Sequence, residues 1–530
     1  MKRWNGWGDE NVDYPLPEGA ATFLMDRVGP ATPKAACRLD AVAAKVAPSR
    51  LASHALVRTD AAERLRHACG QSLPDWIAFR SGDIPAFPDG VAHPVRREDL
   101  DELIRHARST GACIIPYGGG SSVVGHINPI DSRPSICVDM TRLDRLIALD
   151  ETSQLATFGA GIYGPALESL LRERGFMLGH YPQSFEFSTL GGWIAARSSG
   201  QQSACFGRIE RLFAGGRVHT PMGELVLPCF PASAAGPDLR EMLLGSEGRI
   251  GIISEATVRV TRLPEVDSFH AVFFADWERA VQGCRAISQA QIPYSMLRLS
   301  TPTETETMLA LAGHGRWTRL LELALSVRGA PQGRCMMVLA FTGRRDGVRK
   351  ARKAALSIAK ASGGVDAGRF MGRQWSKSRF RAPYLRNSLW EAGYAIDTLE
   401  TATSWAKVPA VVADIDRALR HTLEPMGEKV HAFTHLSHVY PTGSSIYSSY
   451  LFRIADDPAE TRRRWKLLKD AASKAIVSHG ATISHQHGVG TDHMAYLQAE
   501  KGELGLGAIR KVIRYWDPEQ VMNPGKLVAD

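Results

Sequence analysis

The sequence predicts an α+β protein of several domains, and three observations carry that prediction. A chain of 530 residues is too long for a single hydrophobic core. Strand-like and helix-like segments alternate from about residue 87 to Leu263-Pro264, and a second alternating set follows. Glycine-dense stretches stand directly after predicted strands, where the backbone is free to approach a ligand closely.

In chain order, residues 1–75 read as an extended arm followed by helices. Apolar residues recur at helical spacing over 36–46 and 61–67, between proline-rich breaks. Leu100, Leu103, Ile104 and Ala107 mark one face of a helix that Gly111 ends, and a short apolar strand at 112–116 runs into a glycine triplet. Residues 135–139 and 155–159 read as strands, 165–174 as a helix, and 251–261 alternates as a strand does. A strand at 269–274 opens the second unit, followed by a helix at 280–290, a strand at 338–342 and a basic helix at 347–362. Strands at 395–399, 431–440 and 444–452, with helices at 407–419 and 459–477, predict an antiparallel or mixed sheet covered on one side. A helix at 506–516 and the turn Asn523-Pro524-Gly525-Lys526 follow. The expected division is 1–75, 76–264, 265–480 and 481–530, the last segment returning to the side of the second.

A content of 44% hydrophobic and 22% charged residues excludes a disordered, collagenous or disulfide-scaffold chain. No apolar run reaches the roughly 18 to 20 residues of a membrane span, and the first ten residues lack the apolar stretch of a signal peptide. A cytoplasmic location is therefore expected. The eight cysteines form no Cys-x-x-Cys pair and no zinc-like spacing with histidine, so reduced thiols and no metal are expected. A net charge of +9 suits nucleic acid, anionic lipid or a phosphorylated substrate. With no zinc-finger or RNP-like motif and the basic residues spread out, nucleic acid is not an expected partner.

Three glycine-bearing segments carry the cofactor reading. The first is Pro116-Tyr117-Gly118-Gly119-Gly120-Ser121-Ser122, with Gly125 beyond it. It lacks the Gly-Lys-Ser/Thr ending of a Walker loop and the helix that follows a Gly-x-Gly-x-x-Gly fingerprint. Successive glycines can present several N–H groups to an anion, and a plain tight turn is the alternative. The second runs from Pro182 through Ser184, Ser188, Thr189, Gly191 and Gly192 to Ser198-Ser199-Gly200, dense in small hydrogen-bonding residues. The third is Gly245-Ser246-Glu247-Gly248-Arg249-Ile250-Gly251-Ile252-Ile253.

In this order and at these separations the segments resemble the FAD domain of the vanillyl-alcohol oxidase/PCMH flavoprotein superfamily. Ser184-Phe185-Glu186-Phe187-Ser188-Thr189-Leu190-Gly191-Gly192-Trp193 and Trp4-Asn5-Gly6-Trp7-Gly8 resemble the alkyldihydroxyacetonephosphate (alkylglycerone-phosphate) synthase family in particular. The resemblance implies a PCMH-type FAD-binding domain of two α/β subdomains, plus a cap domain whose antiparallel sheet is flanked by helices. It implies that Pro116, Gly118, Gly119, Gly120, Ser121, Ser122 and Gly125 hold the pyrophosphate. Pro182, Ser184, Ser188, Thr189, Gly191, Gly192, Ser198 and Gly200 would line the flavin and ribityl chain, and Glu247, Gly248 and Ile253 the adenine side. Members that tether FAD covalently often carry a histidine in the glycine loop; Gly-Gly-Gly-Ser here implies noncovalent FAD.

On the substrate side, His485-Gln486-His487-Gly488 sets two imidazoles two residues apart, which on an extended backbone face one pocket. They suit proton transfer or an anion; as a metal site the pair lacks a clear third ligand. The resemblance assigns Tyr447 as the catalytic acid/base, Arg386 as the arginine at the substrate near the flavin, and Arg298 as another substrate-side arginine. Alone, each arginine reads as a surface ion pair and Tyr447 as a core residue. The family has three consecutive histidines where this chain has Gln486 in the middle, a side chain that can bind substrate by hydrogen bonds but cannot shuttle a proton.

The resemblance implies exchange of the acyl group of acyl-dihydroxyacetone phosphate for a fatty alcohol through a flavin N5 adduct. The alternatives are an FAD-linked 2-hydroxy acid dehydrogenase passing hydride to N5, and a noncatalytic flavin- or lipid-binding protein. The partner is a lipid-like phosphorylated or carboxylated small molecule. The basic stretch 344–360 reads as a solvated face or as a contact with the inner membrane face, and relatives are commonly homodimers.

Overall fold

The computed structural model describes residues 2–17, 19–130, 132–311, 325, 329–330 and 332–529. The first sheet orders Val57–Arg58, Gly90–Ala92, Ser135–Asp139 and Cys113–Tyr117, with the last three strands parallel. Parallel strands are covered on both faces and so read as unbroken apolar runs, as in Ile136-Cys137-Val138. The helix Glu98–Thr110 lays Leu100, Leu103, Ile104 and Ala107 on this core and ends at Gly111, whose φ of +67° suits glycine. The C-terminal segment closes the outer edge: Ile114 N donates to Val521 O at 2.7 Å and Asn523 N to Ile114 O at 2.8 Å.

An antiparallel sheet follows, ordered Leu146–Asp150, Leu155–Gly159, Ile252–Arg259, Phe213–Thr220 and Gly223–Leu227. The alternation over 251–261 divides in two, since Thr261–Arg262 leaves this sheet and pairs Phe176–Met177 instead. Phe213–Thr220 escapes sequence reading because Gly215 and Gly216 dilute its pattern. Neighbouring strand carbonyls of Leu227 and Glu255 lie where their Cβ atoms would stand.

The third sheet is antiparallel throughout, in the order Val365–Ala367, Val266–Phe274, Cys335–Gly343, Met296–Ser300, His431–Tyr440, Gly443–Arg453 and Tyr394–Ser404. One face carries Leu299, Leu339, Leu436, Ile446 and Leu399 against the helices Trp277–Gln289, Arg345–Ala361, Val408–His421 and Pro458–Ser478. Asp276 and Asp457 start two of these helices by accepting the N–H groups of Arg279 and Ala459 at 2.9 Å each. The period of two sends alternate residues to the opposite face, and that face bears the polar groups of the site.

Local differences from expectation have local causes. Of 36–46 only Leu39–Ala43 is helical. The helix Leu73–Ser81 runs straight through the boundary drawn at 75/76. Pro74 looks like a break but occupies the first turn, where its lost N–H costs nothing, and Ser72 with Asp75 forms a capping box. All eight cysteines are free thiols.

Candidate active site

The strand Cys113–Tyr117 delivers the glycine loop against the second glycine segment. A Cβ at Gly118 would collide with Thr189 Oγ1, one at Gly119 with the Phe187 carbonyl, and one at Gly120, where φ is +66°, with the Tyr117 hydroxyl. A Cβ at Gly248, where φ is +77°, would stand 3.0 Å from the Pro116 ring, and one at Gly200 only 2.6 Å from Tyr181 N. Three predicted segments therefore pack closely where their glycines lack side chains. Their hydroxyls fix local turns: Thr189 Oγ1 accepts from Gly192 N at 3.4 Å, and Ser188 Oγ accepts from Trp193 Nε1 at 2.7 Å while donating to Ser184 O at 2.9 Å. Ser198 Oγ meets His180 Nε2 at 2.8 Å, Ser122 Oγ accepts from His126 N at 3.1 Å, and Ser121 is half-buried beside it. Pro182 O accepts from Phe185 N at 3.0 Å, turning the chain into the second segment. A Cβ at Gly125, where φ is +76°, would strike Thr491, and one at Gly191 would stand 3.0 Å from Ala160.

Two of the predicted adenine-side residues do something else with their side chains. Glu247, itself at φ +54°, takes the N–H groups of Val489 (2.6 Å) and Gly490 (2.8 Å) on its carboxylate and tethers the histidine turn to the cradle. Ile253 is a core residue of the antiparallel sheet. The N-terminal arm crosses the cradle as well. Lys2 Nζ bonds the Gly119 carbonyl and lies 3.4 Å from Tyr117 Oη, and burial pulls its pKa down to about 8. Trp7 packs edge-on against Phe187 at 5.6 Å and exchanges hydrogen bonds with Asn387 at 2.9 and 3.1 Å, so the Trp-Asn-Gly-Trp-Gly motif clips cradle to cap.

Opposite lies the polar face of the third sheet. Register places Glu400 beside Tyr447 and Tyr447 beside His435, one row across three strands. His435 stacks on Tyr447 at 4.9 Å and 18°, and bonds Glu304 (2.8 Å) and Arg298 (2.9 Å). Arg298 also donates to Glu304 at 2.9 Å, so its fork is held by this cluster rather than presented to an open position. Burial opposes the charge of Glu304, but His435 and Arg298 prevail and hold its pKa near 2. Arg386 donates to Gln71 O at 2.7 Å and lies 4.4 Å over Trp76, yet its solvent-shielded Nη2 has no partner. Burial pushes the Tyr447 phenol up to about 12, so it is neutral at pH 7.

The histidine pair departs from its extended expectation. Gln486 N (2.5 Å) and His487 N (2.8 Å) both donate to one oxygen of Glu400, which only a tight turn allows. The rings consequently diverge. His485 stacks on His438 at 4.9 Å and meets Tyr440 Oη at 2.7 Å and Arg208 Nη1 at 2.6 Å. His487 stands edge-on to Tyr447 at 5.5 Å with its Nδ1 buried and unpartnered, and Gln486 Oε1 is unpartnered too. Burial lowers the pKa of both histidines. Burial would raise Glu400, but the two imidazoles and the N–H donors hold it well below the carboxylate range. A cavity of about 660 Å³ opens on the His485 side, walled by Arg208, His438 and Tyr440 and by apolar Ile292, Pro293, Met296 and Leu297.

Sequence reading missed Glu400, His435, His438 and Arg208. The one available signal was the density of histidines at 431, 435 and 438 in a single strand.

Residues 88–227 match a family profile described as FAD binding domain, and residues 263–527 one described as FAD linked oxidases, C-terminal domain. The class is therefore that of FAD-linked flavoenzymes. The fold alone is shared with p-cresol methylhydroxylase with substrate bound, at a TM-score of 0.67 and 12% identity over 89% of this chain and 93% of that one. The alkyldihydroxyacetonephosphate synthase of Dictyostelium discoideum is 30% identical over 480 residues, covering 89% of this chain and 78% of the relative. A solved alkyldihydroxyacetonephosphate synthase structure superposes at a TM-score of 0.85 with 27% identity, covering 99% of both chains. The chain belongs to the alkyldihydroxyacetonephosphate synthase family. The cradle fits FAD in that its first two segments lie within the part of the chain matching the FAD binding domain profile, and their glycines let the segments pack closely enough to form it.

Proposed function

We propose that this chain exchanges the acyl group of acyl-dihydroxyacetone phosphate for a fatty alcohol, forming an ether bond with no net redox change. The supporting observation is the convergence of Tyr447, the unpartnered Arg386 Nη2 and the unpartnered His487 Nδ1 at one shielded polar face. FAD, when bound, supplies an electron-accepting ring that can hold the three-carbon unit while the acyl group leaves. Arg386 Nη2 binds the phosphate or the departing carboxylate. Tyr447, neutral at rest, moves the proton at the substrate carbon, and neutral His487 beside it is the second acceptor. Gln486 contributes hydrogen bonds to substrate in the place of a proton-carrying histidine.

The cavity on the His485 side, with its mixed apolar wall, is our candidate for the alkyl chain. Among the described residues no helix is long and apolar enough to cross a membrane. The helix Arg345–Ala361 exposes Arg345, Lys350 and Lys353, which supports peripheral contact with the lipid that supplies the alcohol. The proposed domain division near 264 is supported by sheets that exchange no strand across it.

The test is anaerobic incubation of the FAD-loaded protein with acyl-dihydroxyacetone phosphate and a fatty alcohol, and separately with 2-hydroxy acids. Ether lipid and free fatty acid, released with the flavin oxidised at the end, are the expected products. Reduction of the flavin by a 2-hydroxy acid, with no ether lipid formed, would establish the dehydrogenase instead.

A further inference from the structure

Beside the glycine loop, four ionisable side chains meet at the ends of three elements. Glu63 and His67 come from the helix Ala61–Arg66 and its C-cap, His93 follows the strand Gly90–Ala92, and Asp139 ends the strand Ser135–Asp139. His67 sets Nδ1 at 2.8 Å from the Glu63 main-chain oxygen and Nε2 at 3.0 Å from Asp139 Oδ2. His93 sets Nε2 at 2.7 Å from Glu63 Oε1 and Nδ1 at 3.8 Å from the same Asp139 oxygen. Three of the four ring nitrogens thus lie within hydrogen-bond distance of oxygen, and the fourth stands 3.8 Å from Asp139.

We propose that Glu63, His67 and His93 bind a divalent transition-metal ion of the zinc class, with Asp139 as the outer carboxylate that orients the His67 ring. One ligand atom from each of the three lies within 4.8 Å of the others, close enough for one ion to draw together. Two imidazoles and a carboxylate suit zinc and its neighbours rather than magnesium or calcium. Asp139 is itself fixed by Thr141 N (2.8 Å) and Thr141 Oγ1 (2.6 Å), the kind of support that outer carboxylates of metal-bound histidines receive. The ion replaces the His93–Glu63 contact and the His67 bond to the Glu63 carbonyl. Its effect reaches the cofactor loop, because the His67 ring lies 4.6 Å from Tyr117, the residue that precedes Gly118. The site braces that loop and takes no part in the reaction.

The experiment uses the full chain loaded with FAD, treated with chelator, then titrated with zinc by calorimetry and with cobalt by visible absorption at neutral pH. One equivalent should bind, with the ligand-field bands of nitrogen-ligated cobalt. His93→Asn should weaken binding at least about tenfold, and Asp139→Asn by about 10- to 100-fold, with bound flavin retained. A His485→Asn/His487→Asn double variant should bind as the parent does. Equal affinity in the parent and His93→Asn, or a purely aqueous cobalt spectrum, would overturn the proposal. Should His93→Asn fail to fold, ¹⁵N imidazole shifts of the parent decide. His67 and His93 signals unchanged by excess zinc would refute the site, and their conversion to metal-bound signals would support it.

Discussion

The cradle around Gly118–Gly120 and the polar face of the third sheet confront each other across the site, and they are made of different material. The cradle is backbone: its specificity lies in where side chains are missing, and its neighbours Thr189, Phe187 and Pro116 fill the space a Cβ would need. The opposing face is side chain: Glu400, Tyr447, His435 and Arg298 on the strands, with Arg386 from the helix Leu385–Glu391 near Tyr447, are held by charge and hydrogen bonds. A backbone site is written locally, in the glycines themselves. A side-chain site depends on partners that converge from distant strands and loops, as Glu400 does on residues 484–487. The two glutamates that pin this turn make the same contrast. Glu247 reaches from the cradle and Glu400 from the cap, so the turn is held from both sides.

The contrast is open to attack in three places. The largest effect is expected for Tyr447→Phe, which should lower kcat by about 10²–10⁴-fold while FAD stays bound in full. A rate within tenfold of the parent would remove the sheet face from the chemistry. Next is Glu400→Gln, expected to cost about 2–3 kcal/mol in denaturant unfolding at pH 7, since several donors converge on this charge. Its folded pKa is depressed, so its contribution is complete above the unfolded value of about 4.3 and is lost as pH falls toward the folded one. The gap between parent and variant should therefore close in acid, and a gap that is constant with pH would show that Glu400 acts by shape alone. The smallest effect is Gly119→Ala, where displacement of the Phe187 backbone should cost about 1–3 kcal/mol of FAD affinity, measured by flavin fluorescence on release. Unchanged affinity would mean that the triplet is a turn and not a cradle.

Much of the architecture was legible because the patterns were local. The 13-residue helix Glu98–Thr110 announced its buried face and its glycine stop, and the long strands of the third sheet showed their alternation. Phe213–Thr220 was not legible, because its glycines serve neighbouring strands rather than its own pattern. The helix Leu73–Ser81 was obscured by a proline that starts it. Among candidate site residues, Tyr447 and Arg386 were named by resemblance and His487 by the spacing of the histidine pair, and the structure brings the three together. Arg298 joins them only through His435 and Glu304.

By itself the sequence determined the α+β class, the three glycine segments and the kinship with a flavoenzyme family, since each is stated by neighbours along the chain. The tertiary structure alone decided that His485 and His487 diverge, that Glu400 holds the turn between them, and that Trp7 locks cradle to cap. The physical reason is range. Glycine freedom and side-chain periodicity act over a few residues. The state of a buried carboxylate or imidazole is set by whichever groups the fold places beside it, and those lie tens to hundreds of positions away in the chain.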